Sequence, residues 1–434
     1  MPIPTSGSNS DSGPIRPGGP HLGGASVGES DPLLSYRERF PILDSVCYLV
    51  SHSLGAMPRE ARDGLSRYAD EWDTRGVRAW RDGWWDLPLA FGNQLAALLG
   101  AKPDTICMQP NATLASAILL SSLDFEGSSP DLRSGGKRNR IVTTDLDFPS
   151  MLYLYDSIEL PDVEIVRVPT HDGLTIDGDE LIAAIDERTR LVALSHVVFR
   201  TSFLHDVERI TKHAHACGAE VLLDLYHSAG ALPFSLDTLG VDFAVGGNLK
   251  FLLGGPGVAF LYVRRDLQDR LHPRVTGWMA HADPFGFRLP PMEHAEGIAR
   301  FLHGTPAIPA LRAAEPGLAI VREVGVEAIR EKSLRLTRIL LDHARTEGWG
   351  VRTPDDDTRR GGVVGLEPPH AYEVSQCLLD RDILIDYRPG GGIRMAPHFY
   401  NTESEVRHAL ATIGEILESG AWRRYESATR ERVT

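Results

Sequence analysis

The sequence predicts an α/β protein: a large domain built on a mostly parallel sheet, joined to a smaller α+β domain. Three observations lead there. Short apolar runs alternate with amphipathic stretches through the middle of the chain. Strands separated by helices need crossover connections, which cover both faces of a parallel sheet. The length, 434 residues, exceeds what one ordinary core organises. Beyond about residue 310 the pattern changes to long helical periodicity and a strand–helix tail.

The elements follow in order. Residues 1–31 are rich in Gly, Ser and Pro with almost no aliphatic content, so they cannot bury enough surface to offset ordering entropy and are expected to be disordered. Residues 32–75 are expected to pack with 305–434 as the small domain, leaving 76–304 as the large one. RIVTTD (140–145), VEIVRVP (163–169), RLVALSHV (190–197), AEVLLDLYH (219–227), VDFAVGG (241–247) and VAFLYVRR (258–265) read as buried strands. DGDELIAAID (177–186) and VERITKHAHACG (207–218) read as helices, the second closing on a glycine suited to a left-handed cap. Residues 317–348 form a long helical pattern, and VRHALATIGEILES (406–419) supplies the last helix.

Composition narrows the function classes. Hydrophobic residues make up 42% and charged residues 24%, as in a globular protein. A net charge of −14 argues against nucleic acid or anionic membrane as a partner. Cys47, Cys107, Cys217 and Cys377 form no CxxC pair, which suits buried thiols in a reducing cytoplasm rather than a disulfide framework or a metal site. No apolar run approaches the roughly 18 residues of a membrane span. The N-terminus lacks a basic stretch followed by an apolar one, so no signal peptide is expected.

The chemistry centres on residues 224–260. Asp224 ends an apolar strand, where open α/β sheets bind ligands. Lys250 follows a second apolar run and precedes Gly254-Gly255-Pro256-Gly257. Pyridoxal 5'-phosphate (PLP) chemistry needs two such groups: a lysine amine to form a Schiff base, and a carboxylate to keep the pyridine nitrogen protonated. Apolar flanks also ease deprotonation of the lysine. Alone, either residue could be a loop cap or a surface lysine. Together, with His227 nearby, they read as a cofactor site.

The motifs around them resemble a known family. YLVSHSLGAMP (48–58), VRAWRDGWWDLP (77–88), DFPS (147–150), SHVVFRTSFLHD (195–206), GWMAH (277–281), ARFLHGTP (299–306) and IRMAPHFY (393–400) resemble, in order and spacing, the class V branch of fold-type I (aspartate-aminotransferase-like) PLP enzymes, and within it bacterial kynureninases. The resemblance runs from about Tyr48 to the C-terminus. It implies hydrolytic Cβ–Cγ cleavage of a kynurenine-type L-amino acid to an aryl acid and alanine.

The resemblance also implies site roles. Phe148 would stack on the pyridine ring, Ala112 and Thr113 would hold the phosphate at a helix start, and Asp224 and His227 would flank the ring. Arg394 would take the substrate α-carboxylate. Trp278 and Thr305 would reach the site from the second subunit of a homodimer. Trp80, Gly304 and Thr305 would select the substrate's aromatic ring, with His52 beside it.

Several positions depart from the pattern. Leu249 stands where kynureninases place a Tyr before the lysine, a residue that in the family contacts the phosphate and takes part in proton transfer. His52 replaces an Asn, Val198–Phe199 an Asn–Tyr pair, and Tyr226 sits inside the DLxH motif. Other class V reactions therefore stay open: transamination, β-elimination including desulfurisation, and epimerisation. So does a binding protein that kept the fold, although Asp224, Lys250 and Arg394 are all present.

Overall fold

The computed structural model describes residues 31–125, 137–158 and 162–426. The expected tail lies outside them except for Asp31. That residue is placed: its carboxylate accepts from the Leu33 amide at 3.0 Å and pairs with Lys332 and Arg335, each at 2.9 Å.

The chain enters through β1 (Cys47–Tyr48), α1 (Ala61–Arg75), a π-helical turn at Trp80–Trp84 and α2 (Leu87–Leu98). It then alternates: β2 (Ile106–Gln109), α3 (Ala112–Ser122), β3 (Arg140–Thr144), α4 (Pro149–Ser157), β4 (Glu164–Val168), α5 (Gly178–Ala183), β5 (Thr189–Ser195), α6 (Val207–Ala216), β6 (Glu220–Asp224), α7 (Leu236–Leu239), β7 (Phe243–Gly247), β8 (Ala259–Val263) and α8 (Arg265–Gln268). The strands form one seven-stranded sheet in the order β2-β8-β7-β6-β5-β3-β4. Only β8 runs against its neighbours, so the sheet is mixed and mostly parallel, as expected.

Side-chain alternation explains why these strands are nearly continuous apolar runs. In β5 and β6, Val192, Leu194, Val221 and Leu223 point into a core shared with Ile210 and Ala214 of α6. Leu191, Ala193 and Leu222 point into a second core with Ala115, Ile118 and Leu119 of α3. A strand buried on both faces has no polar side to display.

The rest of the chain adds α9 (Ile308–Val324), α10 (Val326–Glu347), β9 (Gly350–Val351), β10 (Val364–Glu367), α11 (Ala371–Leu379), β11 (Ile383–Leu384), β12 (Asp386–Arg388), β13 (Gly392–Met395) and α12 (Glu403–Ser419). Four of these strands pair antiparallel in the order β12-β13-β10-β9, while β1 pairs with β11 in parallel. Thr402 and Glu405 close a reciprocal capping box at the start of α12. The helical pattern of 317–348 is two helices, not one: Gly325, at φ +84°, ends α9 and opens α10. Residues 32–75 divide their contacts, since β1 joins β11 while α1 packs along α9.

This architecture positions the site. The carboxyl ends of β3, β5, β6 and β7 stop at one edge of the sheet, where ligands of such sheets bind. Among the described residues no helix is long and apolar enough to cross a membrane.

Candidate active site

A cavity of about 270 Å³ opens at that edge. Ala112, Thr113, Phe148, Asp224, His227 and Lys250 all line it, six of the eight residues expected to bind the cofactor; Trp278 and Thr305 do not. Asp224 is the last residue of β6; one of its carboxylate oxygens accepts from the Tyr226 amide at 2.8 Å. Lys250 follows β7, and its Nζ lies 2.8 Å from His227 Nε2. Burial pushes the Lys250 amine down and the Asp224 carboxyl up, because both charged forms lose water. Burial first, and the Lys250 charge second, hold His227 neutral. Its Nδ1 is buried without a partner.

One wall is the start of α3. The Asn111 side chain accepts from the Leu114 amide at 2.8 Å and so caps the helix. The amides of Ala112 and Thr113 keep no acceptor among the described residues, which leaves donors and a helix dipole facing the cavity. Opposite stands Phe148, 40% exposed, with its ring 5.9 Å from Lys250 Nζ and edge-on to Phe199. Pro149 at the first position of α4 fixes the turn that presents it.

Arg394 and His52 form a layer beside this cavity rather than its lining. Arg394 Nε and Nη2 donate to the two oxygens of Asp386 at 2.8 and 2.5 Å, and Nη1 donates to the Phe199 carbonyl at 2.6 Å. The Nε–Nη2 side of the guanidinium is thus held by Asp386. A guanidinium has five N–H groups, so one remains on each terminal nitrogen. His52 Nε2 lies 3.0 Å from the same Asp386, and its ring is 6.4 Å from that of His227. Burial first, and the Arg394 charge second, lower the His52 pKa to about 4. Burial alone would raise the Asp386 carboxyl, but His52 and Arg394 outweigh it and hold it far below the usual range.

Trp80, Trp278, Gly304 and Thr305 do not line the Lys250 cavity of this chain. Trp80 stacks on Trp85 at 4.2 Å, and Trp85 meets Trp278 edge-on at 5.3 Å. Gly304 and Thr305 line a separate pocket with Pro88 and Met108. Its loop adjoins Trp278, since the Met279 amide donates to the His303 carbonyl at 3.1 Å.

Sequence reasoning missed two buried carboxylates. Asp386 is one, and its signal was present: in DYRPGGGIR the turn glycines lie midway between Asp386 and Arg394, which are cross-strand partners on β12 and β13. Asp147 is the other. It accepts from Thr143 Oγ1 (2.9 Å), the Thr144 amide (2.9 Å) and hydroxyl (2.8 Å), and the Ser195 amide (2.6 Å), fastening the Phe148 turn to the end of β5. Its local signal was the TTDLD run of Thr143, Thr144 and Asp147, and only its bond to Ser195 is distant in sequence.

Comparison with known proteins places the chain in a family and a fold. The profile of the family described as Aminotransferase class-V matches residues 91–410. A kynureninase from Pseudomonas fluorescens is 34% identical over 93% of this chain and 97% of its own length. One from Burkholderia mallei is 34% identical over 94% and 98%. Among solved structures, an apo cysteine desulfurase from Thermococcus onnurineus superposes with TM-score 0.78 at 21% identity, covering 90% of this chain and 99% of its own. A lyase variant with glycine covalently linked to its PLP cofactor gives 0.77 at 22%, covering 87% and 99%. These structures establish the fold-type I architecture. The family match and the two long alignments establish that this chain belongs to the class V aminotransferase family.

Proposed function

We propose that the chain is a PLP-dependent enzyme acting on an L-amino acid, and that its reaction is kynureninase-like hydrolytic Cβ–Cγ cleavage giving an aryl acid and alanine. The observation that carries this reading is the meeting of Lys250, Asp224 and the open start of α3 in one cavity. The long alignments to kynureninases support the choice among class V reactions.

The donor set fits the cofactor. The free amides of Ala112 and Thr113 suit a phosphate. Asp224 suits a protonated ring nitrogen, and His227 Nδ1 awaits a polar partner. When bound, PLP supplies an electron sink for negative charge at the substrate α-carbon. The protein does the rest. Asp224 holds the ring nitrogen protonated, and Phe148 covers one ring face. Lys250, with its amine pushed toward the neutral form, takes and returns a proton at Nζ. His227 receives the Lys250 N–H and keeps the amine aimed. The two remaining terminal N–H groups of Arg394 bind the α-carboxylate, while Asp386 and the Phe199 carbonyl fix the guanidinium and His52 buttresses Asp386. In a homodimer Trp278 and Thr305 reach the cofactor of the neighbouring copy, and Trp80, Gly304 and Thr305 select the aromatic ring. A monomer at assay concentration would remove that shared-site reading.

No cysteine lines the cavity, which places desulfurisation below the other class V reactions. The test adds L-kynurenine to holoenzyme and follows anthranilate fluorescence and the cofactor spectrum. Anthranilate release by the wild type is the expected result. A spectral shift without anthranilate would replace the reading by transamination, elimination or epimerisation of another amino acid. Leu249→Tyr should then raise kynurenine cleavage, because a missing general acid or base typically costs roughly 10²–10⁴-fold.

A further inference from the structure

We infer that the Tyr226 hydroxyl donates a hydrogen bond to the phosphate of the cofactor, completing the anion site that the start of α3 opens. The inference rests on the PLP reading and names a residue that the class V resemblance does not supply.

The lysine segment itself offers the phosphate no side-chain donor. Gly247 has no side chain, Leu249 is aliphatic, and the Asn248 amide is fully buried without a partner, its Cβ packed toward Gly254. Among the described residues Lys250 is the only lysine or arginine lining the cavity, and it is assigned to the cofactor aldehyde. A phosphate presents three strong acceptor oxygens, more than two backbone amides and the Thr113 hydroxyl satisfy. Neutral donors must make up the difference.

Tyr226 is built to be one. Its amide is tied to Asp224 at 2.8 Å, and its ring lines the cavity. The phenol oxygen lies against Gly247: a Cβ added there would sit 2.2 Å from it. Only glycine at the end of β7 admits this ring. The hydroxyl has no hydrogen-bond partner among the described residues. Burial first, and the Asp224 charge second, push its pKa up to about 12, so it stays protonated and able to donate. A proton relay to the lysine is the competing role, and the geometry disfavours it. Lys250 Nζ stands over the ring, 4.8 Å from its centroid, and is already paired with His227.

The test titrates the full-length apoprotein with PLP and, separately, with pyridoxal, which lacks the phosphate. Wild type and Tyr226→Phe are followed by absorbance of the bound aldehyde. The variant keeps the ring and loses only the donor. Its PLP affinity should fall by about 10–100-fold, the usual scale for a hydrogen bond to a charged group, while pyridoxal affinity stays within about twofold. Inorganic phosphate should also compete less well with PLP in the variant. Unchanged PLP affinity would overturn the inference. Equal losses for both aldehydes would overturn it too, by assigning the phenol to the ring or the lysine. A wild type that binds neither aldehyde would instead defeat the PLP reading beneath it.

Discussion

Asp386 is fully buried, and its two oxygens take the Arg394 fork, His52 and, at 3.2 Å, Arg388. Such a pair gains little over an apolar substitute, but losing one partner strands the other charge. Asp386→Ala should therefore destabilise the protein by about 3–5 kcal/mol, seen as a lower urea midpoint, and should raise KM for the amino acid as Arg394 loses its aim. A variant with wild-type stability and KM would show that Arg394 holds itself in place. At this scale the sequence was most legible where chemistry and strand ends coincide. Asp224, His227 and Lys250 could be placed because an apolar strand must end before a functional loop begins. Arg394 was legible without its partner, since Asp386 lies eight residues earlier and only the hairpin pairing of β12 with β13 sets the two opposite. The reach of Trp80, Trp278, Gly304 and Thr305 could not be read from one chain, because their cluster lies apart from the Lys250 cavity.

Five of the six expected strands were legible because a strand covered on both faces reads as an unbroken apolar run; the sixth, β4, forms as expected but is not buried along its length, since it lies at the sheet edge with Glu164 and Arg167 exposed. β2 escaped notice because ICMQ is only four residues between helices. The reversal of β8 was also unread, although residues 248–258 between β7 and β8 hold no crossover helix and so favour an antiparallel pair. Gly325 is the instructive failure. Hydrophobic periodicity continues through it, so pattern alone joins α9 to α10. The backbone there adopts φ +84°, ψ 134°, a conformation that side-chain-bearing residues rarely occupy. Gly325→Ala should cost about 1–3 kcal/mol in strain, measurable as a lower thermal midpoint, even though a methyl group there would meet nothing closer than 4.0 Å. An unchanged midpoint would mean the junction can relax into a continuous helix.

Across the whole molecule, the histidines predict how stability responds to acid. His52, His196, His205 and His398 are buried, and burial lowers their pKa values to between about 3 and 4. In the unfolded chain each would titrate near 6.5. The folded state resists their protons, so the stabilisation they represent is present above pH 6.5 and lost as pH falls toward 4. Each contributes a slope approaching roughly 1.4 kcal/mol per pH unit inside that window. The urea midpoint should drop steeply from pH 7 to pH 5, with proton uptake on unfolding. A flat profile would contradict their neutral burial. Apart from His52, these rings could not be told from surface histidines in the sequence, because burial depends on contacts between distant segments.

The central claim is that Lys250 is the residue that holds the cofactor. The sequence contains four other lysines: Lys102, Lys137 and Lys212 are exposed, and Lys332 is buried against Asp31. Borohydride reduction of the holoenzyme, followed by digestion and mass spectrometry, would locate the pyridoxyl group. The account predicts it on the peptide carrying Lys250, with no reducible attachment in Lys250→Ala. A pyridoxyl group on any other lysine would contradict it.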